Sequence, residues 1–107
     1  MDENTFVVKP SANQPDLPSF DDIRISCVAS GFRGNLNRVS RCDYIVVTNG
    51  VEAFIGTIVS VESFNKGTIP SRVIIKFKEP KDLESEIIKN IKWSNSNIRY
   101  KYLDFTM

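Results

Sequence analysis

The chain has no histidine among its 107 residues. That absence removes imidazole as acid, base and metal ligand, and with it Ser-His-Asp and Cys-His catalysis and His-ligated zinc. Cysteine is nearly as scarce. Cys27 and Cys42 are the only two, too few for a disulfide framework or a four-cysteine zinc site. Both are expected to be free thiols acting as small hydrophobes at the edges of apolar stretches, although Arg41 beside Cys42 leaves a stabilised thiolate open. No apolar run nears the roughly 18 residues of a membrane helix, so no membrane contact is expected. No GxGxxG, phosphate-loop or EF-hand pattern occurs. The acidic start Met1-Asp2-Glu3 is unlike the basic head of a secretory signal, and a cytoplasmic location follows as the expectation. Asp43, Glu52 and Glu62 occupy the alternating polar positions of solvent-facing strand residues. The chain is therefore expected not to be an enzyme, and to hold neither metal nor other cofactor.

Net charge is also lacking, with 14 Lys and Arg against 13 Asp and Glu, but the charges are unevenly placed. Residues 23–42 contain four arginines and no acid, and Arg33, Arg38 and Arg41 crowd into the turn-rich run 31–41. Arginine offers a planar fork for phosphate or carboxylate, Asn35 and Asn37 add donors, and Gly31 and Gly34 permit positive φ, so this run is a candidate anion-binding loop. A second basic patch comprises Lys66, Arg72, Lys76 and Lys78, with Lys81 nearby. If the two clusters share one face, they form a groove for nucleic acid.

Residues 1–19 read as an acidic, proline-containing arm, with Pro10, Pro15 and Pro18 interrupting any ladder, although residues 5–9 suit a short edge strand. A single domain is expected from 20 to 107. Period-two alternation marks strands around Ile23–Cys27, Tyr44–Thr48, Thr57–Glu62 and Val73–Phe77, and Asn49-Gly50 is a hairpin signal. Pro80, the possible cap Asp82, and Leu83, Ile87, Ile88 and Ile91 at helical spacing predict an amphipathic helix over about 81–92, followed by a strand from Ile98. The fold class is thus mainly β with one helix, a small antiparallel barrel. Trp93, Tyr100 and Tyr102 near the C-terminal end are core packing or partner-contact aromatics.

Val46-Val47-Thr48-Asn49-Gly50 with Phe54-Ile55-Gly56-Thr57-Ile58-Val59 is similar to the two-glycine strand pair of SH3/KOW-like and Sm-like nucleic-acid-binding barrels. More broadly, Gly56-Thr57-Ile58-Val59-Ser60-Val61, then Val73-Ile74-Ile75-Lys76-Phe77, then the helical stretch resemble the second half of a PilZ domain, a six-stranded barrel followed by a helix. That family binds cyclic di-GMP through RxxxR and (D/N)xSxxG motifs. Arg38-Val39-Ser40-Arg41 is one residue short of the first, and 26–31 is too long for the SxxG part of the second. The resemblance therefore implies a divergent member acting through protein contacts. Three functions follow as expectations: a non-enzymatic module binding a protein partner through a sheet edge or its aromatic end, a nucleic-acid-binding barrel, or a sensor of a phosphate-containing small ligand such as a cyclic dinucleotide.

Overall fold

A computed structural model describes residues 4–10, 19–33, 36–49, 51–63, 72–83 and 98–101. In chain order the elements are β1 (Thr5–Val8), α1 (Phe20–Ser26), β2 (Val28–Arg33), α2 (Leu36–Ser40), β3 (Tyr44–Thr48), β4 (Ala53–Ser63), β5 (Arg72–Leu83) and β6 (Ile98–Lys101). The protein is mainly β. Its strands form one sheet in the order β2-β5-β4-β3-β1-β6, curled into a half-barrel. All pairs are antiparallel except β1 with β3, so an all-antiparallel barrel gives way to a sheet with one parallel pair.

Residues 5–8, expected as a short edge strand within the proline-containing arm, do form a strand, but an interior one between β3 and β6. Phe6-Val7-Val8 is a continuous apolar run, as befits a strand buried on both faces, and all of β1 is buried. Its polar member, Thr5, donates its hydroxyl to Asn4 Oδ1 at 2.8 Å.

The strand expected at 23–27 is instead helix α1. Ser19 caps it, accepting from the Asp22 N–H while the Asp22 carboxylate receives the Ser19 N–H, and Asp21 and Asp22 face the positive helix end. Phe20 and Ile23, three apart, are buried on one side, whereas Ile25 is 83% exposed. Cys27 ends the helix in the left-handed region, its N–H donating to the Ile23 carbonyl. Arg24 pairs with Asp82 of β5, tying α1 to the core face of the sheet.

Three bulges account for the curl. The register slips by one residue at Gly31 in β2 (φ 82), at Val59 in β4, and at Glu79-Pro80 in β5, where two residues oppose Gly56 and Glu79 takes φ 53. Each extra residue bends its strand and tightens its twist. Pro80 thus sits at a bulge, a position that tolerates the missing N–H, and not at a helix start. β5 runs on through residues 81–83, where the amphipathic helix was expected to begin; the remainder of that expectation lies outside the described residues. The main core joins Phe6, Phe20, Ile23, Phe32, Val39, Ile45, Phe54, Ile75 and Phe77 beneath α1 and α2. Val7, Val46 and Ala53 form a smaller buried group on the other face, with Ile55 and Leu83 against it.

Candidate functional site

The arginine run is not one loop. Gly31, Phe32 and Arg33 complete β2, Gly34 and Asn35 lie outside the described residues, and Leu36–Ser40 form α2. Val39 is the residue that α2 buries, and the Ser40 hydroxyl donates to the Leu36 carbonyl at 2.6 Å. Asn37, Arg38 and Arg41 are exposed on this short turn of helix and its end. The Arg38 guanidinium lies 3.8 Å from the centre of the Tyr100 ring, and that ring packs on Phe6 at 5.2 Å. One candidate anion ligand and one candidate partner aromatic therefore meet each other, joining α2 to β6 across the concave side of the sheet. Trp93 and Tyr102 lie outside the described residues.

The second patch divides as well. Arg72 donates from Nη1 to the Gly31 carbonyl, which the positive φ at the β2 bulge turns toward it; this guanidinium braces the bulge. Lys66 lies outside the described residues. Ile75 and Phe77 point into the core, so Lys76 and Lys78 between and beyond them project from the opposite, outer face, where both are exposed. Their cross-strand neighbours are neutral: Val28 and Ser60 beside Lys76, Thr57 beside Lys78. α2 packs on the core face. The basic residues of α2 and the lysines of β5 consequently occupy opposite faces and do not form the shared groove that the sequence left open.

What the structure adds is a length mismatch between β3 and β4. The last β3 residue to pair with β4 is Tyr44, opposite Thr57, and the Ile58 N–H then donates to the Asp43 carbonyl at 2.9 Å. Beyond that point the chain of β3 turns away into α2. Residues 59–63 of β4 thus have a strand neighbour only on the β5 side, among the described residues. A groove of about 490 Å³ follows this free edge. Ser40, Cys42 and Asp43 wall it on the α2 side, and Thr57 to Val61 form its other flank. Ile58 and Val61 both turn toward the core, because the bulge between them throws Val59 out to 61% exposure. Cys42 is a buried free thiol directed at the Arg38 carbonyl, at 3.6 Å, and Cys27 is a partly buried one.

The sequence carried a faint sign of this edge. The apolar run 53–61 is longer than the run 44–48 with which it pairs, so one end must lack a partner. Perfect alternation through 57–62 concealed the bulge, since either parity places valine or isoleucine inward.

Among the described residues no three cysteine or acidic side chains gather to hold a metal ion, and no helix is long and apolar enough to cross a membrane. Compared with known proteins, the chain matches no protein family, no curated protein and no solved structure.

Proposed function

We propose that this protein is a non-catalytic binding module that takes an extended segment of a protein partner along the free edge of β4, as an added strand. The observation that carries the reading is the groove beside residues 59–61, where the ladder offers its backbone groups and β3 no longer covers them. Five residues of edge span about 17 Å, enough for a short segment, and the groove volume lies within the range of about 300–1,000 Å³ common to binding clefts. Main-chain hydrogen bonds supply affinity in this mode, each contributing about 0.5–1.5 kcal/mol, and side-chain pockets supply selectivity. The absence of histidine agrees with a module that holds and does not transform its ligand. Within this reading the PilZ-like and SH3/KOW-like likenesses speak only to an open-barrel architecture, and a cytoplasmic location is part of the proposal.

Selection from a displayed library of random seven-residue peptides tests the proposal. Recovered peptides are expected to bind the wild type and to lose binding to Ser40→Trp, in which an exposed α2 residue is enlarged into the groove. Ile25→Ser, altered on the exposed side of α1, serves as the control. Peptides that bind Ser40→Trp as well as wild type would place the site elsewhere.

A further inference from the structure

The charges closest to the free edge of β4 specify the segment it would accept. We infer that the partner segment is a strand with apolar side chains at alternate positions and basic ones where it passes Glu62 and Asp43; this rests on the edge-binding reading above. A strand added beside residues 59–63 continues the line of β3 and presents alternate side chains to the two faces of the sheet. On the core face these side chains meet Ile58, Val61 and Cys42, which form an apolar floor. Because Val61 turns toward the core, Ser60 and Glu62 on either side of it take the outer face, as do Lys76 and Ile74 across from them.

Distance decides which charge such a segment meets first. Glu62 belongs to the free edge itself, so a side chain of the added strand stands beside it as a direct cross-strand neighbour, with Cβ atoms about 4.5–5.5 Å apart. Lys76 lies one strand further in, behind Ser60 and about 9.6 Å from the added backbone. Lys78 does not border this edge, since its neighbour Thr57 is already paired with Tyr44. Glu62 is exposed and forms no ion pair among the described residues. The two bases diagonal to it, Arg72 and Lys76 on either side of Ile74, leave its carboxylate unpaired, and Arg72 is engaged with the Gly31 carbonyl. At the other end of the groove the exposed Asp43 stands where the line of β3 ends. Its carbonyl is taken by the Ile58 N–H, while its carboxylate makes no ion pair among the described residues. Arg41, also exposed, does not line the groove. The free edge therefore has an uncompensated carboxylate at each end and an apolar floor between them.

The test uses fluorescently labelled seven-residue peptides with valine or leucine at alternate positions and lysine, glutamine or glutamate at the others, read by anisotropy at low ionic strength. The lysine peptide is expected to bind about fivefold tighter than the glutamine peptide, as two exposed ion pairs would give, and the glutamate peptide is expected to bind most weakly. The lysine advantage should vanish in Asp43→Asn/Glu62→Gln and at ionic strengths where the Debye length falls to a few ångströms, while the glutamine peptide is indifferent to both changes. Equal binding of the three peptides, tightest binding of the glutamate peptide, or a lysine advantage that survives loss of both carboxylates would overturn the basic assignment and leave the edge reading standing. Failure of every peptide to bind, or binding undiminished in Ser40→Trp, would overturn the edge reading itself.

Discussion

Replacing Gly56 with alanine should destabilise the protein, and the structure sets the scale. Gly56 is buried in β4 opposite Ile45, at the place where Glu79 and Pro80 bulge out of β5. A Cβ at this position would lie 2.3 Å from Cδ2 and 2.9 Å from Cγ of Phe77. Carbon atoms pack at about 3.5–4.0 Å, so the Phe77 ring must retreat by roughly an ångström. It has little room to do so, because it packs on Phe54 at 5.8 Å and Phe54 on Phe20 at 5.2 Å, a row of three rings connecting β5 to α1. Overpacking of this kind costs about 1–3 kcal/mol, offset by about 0.4–1 kcal/mol from the less flexible unfolded chain. A net loss of about 1–2 kcal/mol lowers Tm by roughly 5–15 °C in a domain of this size. Thermal denaturation of Gly56→Ala, alone and with Phe77→Leu, gives the answer. The alanine should cost at least twice as much with Phe77 present as with leucine there. An unchanged or raised Tm for Gly56→Ala would refute the contact on which the argument depends.

Three further outcomes follow from single contacts. Glu79→Gly should raise stability by about 0.5–1 kcal/mol in urea denaturation, because an exposed non-glycine residue is held at φ 53; a loss would show that its side chain has a packing role. Ser19→Ala removes one half of the α1 capping box and should cost about 1 kcal/mol by the same assay, with Ser19→Asp retaining most of it; equal stability of the alanine form would argue against the cap. Arg38→Met, which keeps the apolar stem and drops the charge, should cost about 0.5–1 kcal/mol and speed amide exchange in β6; unchanged exchange there would show that the Tyr100 contact does not hold the strand.

The strands with one buried and one solvated side, or flanked by clear turns, were legible in the sequence: β3, β4, the first half of β5, and β6. Asn49 confirms the turn it signals, its Oδ1 accepting the N–H groups of Val51 and Glu52 at 2.9 and 2.7 Å. The run 23–27 misled because Ile23, Ile25 and Cys27 alternate as a strand would, while the decisive signals, the Ser19–Asp22 box and the three-residue spacing of Phe20 and Ile23, began one turn earlier. β1 was legible as a short strand, but the prolines after it pointed to an edge, whereas its unbroken apolar run marks a strand covered on both sides. At 79–83 the helical spacing of apolar residues yielded to a bulge that absorbs Pro80 without ending the strand. The arginine run shows a different limit. Its composition was plain, but pairing of Arg33 with Arg72 in the β2–β5 register and stacking of Arg38 on Tyr100 depend on contacts across 39 and 62 residues of chain. The groove beside β4 is less legible still, since it arises from where β3 stops and not from any residue type.

The most direct test of that groove is a backbone amide spectrum recorded while a seven-residue peptide recovered by selection on the wild type is added. Edge binding predicts that shifts and slowed hydrogen exchange concentrate in residues 59–63 of β4, with the β2 and β6 edges unmoved. Changes confined to β2 or β6, or no change at saturating peptide, would contradict it.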